Sequence, residues 1–234
     1  ENLRYIQLTR AGYDRVSMED VKEKNIEIHN AKGVYSIPMA EFAIGGILQI
    51  YKQSRYFFEN QKVHKWEKHR ELTELDGKTV CIVGCGSVGT ECAKRLKVFS
   101  CKIVGIDIKP YASECFDEMH SLVFLDKVLK NSDIVILTLP LSEETVHLMN
   151  AARLNMMKTG ALLVNIARGK VVDTGALLNE LRTKRLYAVL DVFEEEPLEY
   201  KSDLWDLDNV IITPHNSFFG NKNDIRLSNY IVYN

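Results

Sequence analysis

Apolar positions along this chain change period from segment to segment, and that rhythm sets out the elements. Residues 3–8 and 25–29 read as strands, with a short helical pattern at 18–24 between them. From Ile37 to about Asn60 the apolar residues keep a helical period; Ser36 suits the N-cap, and Pro38 the first turn, where its missing N–H costs nothing. Residues 61–75 are polar and basic around one Trp, which predicts a connecting arm. A regular series then begins, with strands expected at 79–83, 102–106, 133–139, 161–166, 187–191 and 210–213. Helices are expected between them at 88–99, 122–130, 143–148, 151–157 and 175–183, with Ser142 and Asn150 as N-caps and Gly160 at a helix C′ position. The runs 133–139 and 161–166 are continuously apolar, as in strands covered on both faces. The alternation predicts an α/β fold with a doubly wound parallel sheet. The chain shows no repeat, low-complexity tract or Pro/Gly/Ser linker.

Composition narrows the function classes. The 234 residues are 46% hydrophobic and 26% charged, an ordinary globular balance. Lys plus Arg number 30 and Asp plus Glu 32, a net charge of −2 that removes the usual electrostatic argument for nucleic-acid or anionic-membrane partners. No apolar run reaches the roughly 18 residues of a membrane span. Five scattered Cys, with no Cys-x-x-Cys or paired-His spacing, read as buried reduced thiols; no metal site is expected, and the compartment is expected to be cytoplasmic.

The strand at 79–83 runs into Gly84-Cys85-Gly86-Ser87-Val88-Gly89, a G-x-G-x-x-G loop that opens a helix. Gly84 allows the tight turn, Gly86 lets backbone approach a pyrophosphate, and Gly89 lets the helix pack close to the strand. The helix N-terminus then offers N–H groups and partial positive charge to phosphates. Asp107 ends the next strand 18 residues beyond Gly89. The dinucleotide fingerprint places an acidic ribose partner about 20 residues on.

Three later strand ends carry chemistry: Arg168-Gly169, Asp191 through Pro197, and Thr213-Pro214-His215. Taken singly, each has a bland reading: a surface ion pair for Arg168, a solvated charge run for Glu194-Glu195-Glu196, a structural role for His215. What raises them together is coincidence: Arg, Glu and His end successive strands on the edge where ligands of open α/β sheets bind.

Across essentially its whole length the chain resembles the D-isomer-specific 2-hydroxyacid dehydrogenase family. The resemblance rests on the glycine loop with Asp107, on 138–145, on the highly specific run 157–173, on Asp191-Val-Phe with Glu196-Pro197, and on Thr213-Pro-His215. It implies a Rossmann NAD-binding domain at 37–214. An incomplete flavodoxin-like substrate domain at 1–36 and a segment at 215–234 returning to it are also implied. Arg168, Glu196 and His215 are the implied catalytic trio, with Glu196 chosen because it precedes Pro. NAD is the implied cofactor, held at Gly84, Gly86, Ser87, Val88, Gly89, Asp107, Leu139, Pro140, Ile166, Ala167 and Asp191. Asp107 would repel a 2′-phosphate, although Lys109 lies nearby. The loop Thr9 to Asp14 matches the family's substrate loop, so Ala11 and Gly12 would help Arg168 hold a small 2-oxo or 2-hydroxy acid; a simple turn at Gly12 is the alternative. The helix at 38–60 resembles the family's dimer-forming helix, implying a homodimer, with core packing as the alternative.

These residue types suit the chemistry. His215 would move the hydroxyl proton, Glu196 would fix its tautomer and stabilise the imidazolium, and Arg168 would bind the carboxylate and polarise the carbonyl. A second class of function is a dinucleotide-sensing, corepressor-like interaction protein without turnover. Asn216-Ser217-Phe218-Phe219 departs from the apolar-then-small residues common after the family's His, which leaves the substrate open. Glu1 opens directly into a strand, and the family's first substrate-domain segment is missing, so further residues or a partner chain are expected at that surface.

Overall fold

The computed structural model describes residues 3–13 and 16–233. Its chain begins with strand β1 (Tyr5–Gln7), helix α1 (Met18–Glu23) and strand β2 (Glu27–His29); the two strands pair in parallel as a small sheet. Ser17 caps α1 by accepting from the Asp20 N–H. Helices α2 (Ser36–Tyr51) and α3 (Ser54–Lys62) follow, then β3 (Thr79–Val83), α4 (Ser87–Val98), β4 (Lys102–Ile106) and β5 (Glu118–His120). Next come α5 (Leu125–Leu129), β6 (Ile134–Leu137), α6 (Ala151–Met156), β7 (Leu162–Asn165), α7 (Thr174–Arg182), β8 (Tyr187–Leu190), β9 (Val210–Ile212) and α8 (Asn223–Tyr233). Strands β3 to β9 form one seven-stranded sheet in the order β5-β4-β3-β6-β7-β8-β9, parallel throughout.

The continuous apolar runs divide by alternate residues. Val80, Ile82, Ile134, Ile136, Leu162 and Val164 face the layer built from α2 and α4. Cys81, Val83, Val135, Leu137 and Leu163 face the layer that contains Leu125, Leu154, Leu177 and Leu181. Successive side chains of a strand point to opposite faces, so helices on both faces demand apolar residues at every position. The order reverses at β3, whose neighbours are β4 and β6, and this opens a crevice beyond the carboxyl ends of the strands. Arg226 in α8 donates to the Val34 carbonyl at 2.7 Å, tying the C-terminal helix to the chain just before α2. No described helix is long and apolar enough to cross a membrane.

Several local expectations need correction. The helix expected over 37–60 is two helices, because Gln53 holds φ +52 and turns the chain between them. Ser36 is the first residue of α2 and is buried, and the capping position falls to Tyr35 without a side-chain bond. Regular structure at 143–148 is only a 3-10 turn at Glu143–Thr145, where Ser142 and Thr145 form a capping box. Gly160, at φ +82, turns the chain into β7 rather than ending α6, which stops at Met156. Strand β5, at the sheet edge, was not expected: only Met119 of its three residues packs on the core, and so short a segment gives no readable period of two.

Candidate functional site

The glycine loop shows in its geometry why glycine is used. Gly84 holds φ +93, and a Cβ there would lie 2.7 Å from the Leu139 backbone nitrogen. A Cβ at Gly89 would lie 2.3 Å from the Gly84 carbonyl oxygen. At Gly86, by contrast, nothing stands within 4 Å, so the backbone is bare toward the crevice. No side chain caps the first turn of α4, which leaves its N–H groups for a ligand. This bare, uncapped turn fits a pyrophosphate. Asp107 follows β4 and its carboxylate accepts from the Cys85 N–H at 2.8 Å and the Lys109 N–H at 3.0 Å. That fixes it beside the loop, where a ribose would lie. Leu139 packs on Gly84, and Pro140 is exposed just beyond it. Thr138 donates its hydroxyl to the Gly84 carbonyl at 2.6 Å, and Tyr111 donates to the Cys85 carbonyl at 2.7 Å. Neither bond was expected from the sequence, since a hydroxyl beside a strand end or in a loop carries no period.

Cys85 is buried within this loop. Burial first, and Asp107 second, push its thiol up to about 12, so it is an inert filler there.

Beyond β7 the chain passes through buried Ile166 and Ala167 to Arg168. Asn165, buried at the end of an apolar strand, accepts from the Ala167 N–H at 3.1 Å and donates to the Arg168 carbonyl at 3.0 Å. An amide closing an apolar strand is the signal in the sequence that points to this bracing role. The Arg168 guanidinium donates to the Ala167 carbonyl at 2.7 Å.

Asp191 follows β8 and is fully buried. Its two oxygens accept from the Thr213 hydroxyl at 2.7 Å and from the N–H groups of Asn216 and Ser217 at 2.7 and 2.9 Å. Its carboxylate thus shapes the loop that holds His215. His215 adopts φ +51, a region uncommon for residues other than glycine, with its N–H donating to the Asp191 carbonyl at 2.7 Å. Its Nδ1 lies 2.8 Å from Glu196 Oε2, while Glu196 Oε1 accepts from the Phe193 N–H at 3.0 Å. Nε2 is thereby left on the far side of the ring. The expectation that Glu194 is a solvated charge does not hold: it accepts from the Thr174 N–H and pairs with His147, both at 2.8 Å. Burial raises the Glu194 carboxyl, but these partners outweigh it and hold the group below the usual carboxylate range.

One cavity of about 860 Å³ collects these groups. Arg168, Glu196 and His215 line it together with Ser87, Val88 and Ile166, and with Ala11 and Gly12 from the loop after β1. Asp14 of that loop lies outside the described residues. Gly84, Gly86, Gly89, Asp107, Leu139, Pro140, Ala167 and Asp191 do not line the cavity, the first six lying along or beside the glycine loop and crevice. Phe218 closes one side, its ring edge-on to His215 and to Tyr35 at 6.0 Å each.

Residues 44–217 match the family model described as the D-isomer specific 2-hydroxyacid dehydrogenase, NAD binding domain. The chain is 38% identical over 219 residues to a hydroxypyruvate reductase of Thermotoga maritima, covering 92% of this chain and 71% of that protein. Its structure is similar to a D-lactate dehydrogenase of Aquifex aeolicus complexed with NAD and lactic acid (TM-score 0.86, 29% identity, 99% of this chain and 74% of that one). It is similar also to a D-isomer specific 2-hydroxyacid dehydrogenase of Xanthobacter autotrophicus in complex with NADPH and MES (TM-score 0.84, 32% identity, 100% and 73%). The parallel sheet reversing at a glycine loop lies within the matched residues, and the chain belongs to the D-isomer-specific 2-hydroxyacid dehydrogenase family.

Proposed function

We propose that this site reduces a small 2-oxo acid to its D-2-hydroxy acid with NADH, and runs the reverse oxidation with NAD. The observation that carries the reading is the convergence of Arg168, Glu196 and His215 on the cavity whose other wall is Ser87 and Val88. The residues that would hold the cofactor are the glycine loop, the first turn of α4, Asp107 and the strand ends at Leu139 and Ile166. When bound, the nicotinamide supplies or accepts the hydride at the substrate's C2. Arg168 binds the substrate carboxylate and polarises the carbonyl oxygen, with backbone N–H groups of the Ala11–Gly12 loop as the second arm of the clamp. His215 gives its Nε2 proton to the carbonyl oxygen during reduction and takes it back during oxidation. Glu196, on Nδ1, orients the ring and stabilises the imidazolium.

NAD is favoured over NADP because the Asp107 carboxylate, fixed by Cys85 and Lys109, would repel a 2′-phosphate. In the proposed division, residues 37–214 bind the dinucleotide, while 1–36 and 215–234 belong to the substrate side, in keeping with the Arg226 bond to Val34. Association as a homodimer is supported by the apolar side chains that α3 and the following arm leave exposed, Phe58 at 57% and Trp66 at 98%. Helix α2 itself packs on its own sheet through Ala40, Ala43 and Ile47.

The test is oxidation of NADH and of NADPH by the full-length protein with a panel of 2-oxo acids that includes glyoxylate and hydroxypyruvate. Turnover with NADH supports the proposal. Tight NADH binding without turnover of any member would overturn it in favour of a sensing protein, and equal efficiency with NADPH would overturn the choice of cofactor.

A further inference from the structure

The loop after β8 carries two carboxylates two residues apart, and each meets a different histidine. Glu196 holds His215. Glu194 reaches the other way: Oε2 lies 2.8 Å from His147 Nε2, and Oε1 accepts from the Thr174 N–H at 2.8 Å. His147 in turn donates its backbone N–H to the Lys170 carbonyl at 2.8 Å. Lys170 and Thr174 belong to the segment that starts at Arg168. The four groups therefore close a ring: His147 backbone to Lys170, along the chain to Thr174, Thr174 to the Glu194 carboxylate, and Glu194 back to the His147 imidazole. At its other end the same segment touches the Glu194 loop backbone to backbone, for a Cβ on Gly169 would lie 1.8 Å from the Phe193 carbonyl carbon.

We propose that Glu194, with His147, is a positioning residue for Arg168, clasping the loop that carries the carboxylate-binding guanidinium to the loop that carries Glu196. Glu194 lines the same cavity as Arg168, but each of its carboxylate oxygens is engaged by a protein group, Oε1 by the Thr174 N–H and Oε2 by His147, so its effect on the site runs through the Arg168 loop. The clasp sets the carboxylate clamp and the proton-transferring pair in one frame. A misplacement near 1 Å costs about a hundredfold in rate in such sites, so holding two loops in register has a measurable consequence. The inference rests on the roles proposed above for Arg168 and His215.

The experiment uses full-length protein with Glu194→Ala, Glu194→Gln, His147→Ala and the double alanine variant. In Glu194→Ala the KM for the 2-oxo acid should rise about tenfold or more while the dissociation constant for NADH, read by fluorescence, stays at the parent value. Glu194→Gln keeps an acceptor for the Thr174 N–H and should recover part of the loss. The double variant should be no worse than the more severe single one, since both break one ring. Hydrogen exchange should quicken at the amides of residues 170–174 and not in α4. KM and exchange at parent values in Glu194→Ala would overturn the proposal, as would loss of NADH binding in step with KM, which marks general unfolding. If the parent turns over no 2-oxo acid, the functional reading fails, and the exchange measurement alone still decides whether the clasp exists.

Discussion

Substituting Gly169 by Ala tests whether the site depends on the close approach of two loops. A Cβ at this position would lie 1.8 Å from the Phe193 carbonyl carbon, 1.9 Å from its oxygen and 2.4 Å from the Glu194 nitrogen. Ordinary contact begins at 3.4 Å, so relief needs an opening of 3.4 − 1.8 = 1.6 Å. All three are backbone atoms, and the Phe193 N–H is already held by Glu196 at 3.0 Å, so no side chain can swing away to make room. The two loops must part, carrying Arg168 away from the His215–Glu196 pair. Overpacking of this kind costs about 1–3 kcal/mol of stability. For a chain of this size that is a fall in Tm of about 2–12 °C. The effect on activity should be larger, because a displacement near 1 Å costs about a hundredfold. Steady-state NADH oxidation with the best 2-oxo acid should show kcat/KM reduced by about a hundredfold or more, while fluorescence titration shows NADH binding retained, since the glycine loop is untouched. Parent-like kcat/KM in a folded Gly169→Ala protein would show that the loops are not held in the register described here.

Gly86→Ala should behave in the opposite way: with nothing within 4 Å of the new Cβ the Tm should hold, but NADH affinity should fall about tenfold, because the methyl group enters the space a pyrophosphate needs. His215→Ala should lower turnover by several orders of magnitude, and Glu196→Gln should lower kcat less severely, as the ring loses the carboxylate 2.8 Å away that orients it; a parent-like kcat in Glu196→Gln removes Glu196 from the pair. A thiol reagent added to the native protein should modify Cys115 at most, since Cys81, Cys85, Cys92 and Cys101 are buried and burial pushes the Cys92 and Cys101 thiols up to about 12 and about 11; rapid labelling of several thiols would contradict this packing. Asp133 is raised by burial but held lower overall by the Thr79 N–H and Lys158, so its ionised form stabilises the fold above the unfolded pKa near ~3.9 and that contribution is lost as pH falls through the folded value. Asp133→Asn should accordingly lower Tm at neutral pH and converge with the parent in acid, as followed by thermal melts across pH.

The doubly wound sheet is legible in the sequence, because helices on both faces require strands that are apolar at every position, and runs such as 134–137 and 161–164 meet that demand locally. The glycine loop is legible for the same reason: a turn with φ +93 at Gly84 is a property of one residue type. The sequence also marked Arg168, Glu196 and His215, whose shared position at strand ends follows from counting elements. What those side chains touch follows from how the loops fold against one another. That Asp191 shapes the His215 loop, that Asn165 braces the Arg168 loop, and that Glu194 departs from its two neighbours in the charge run all depend on contacts between residues 3 to 47 positions apart. Hydrogen bonds between loops leave no period in the sequence, since a carboxylate reads the same whether it faces water or a buried N–H. The break at Gln53 and the edge strand β5 were likewise set by what packs beside them, in segments too short or too polar for periodicity to register.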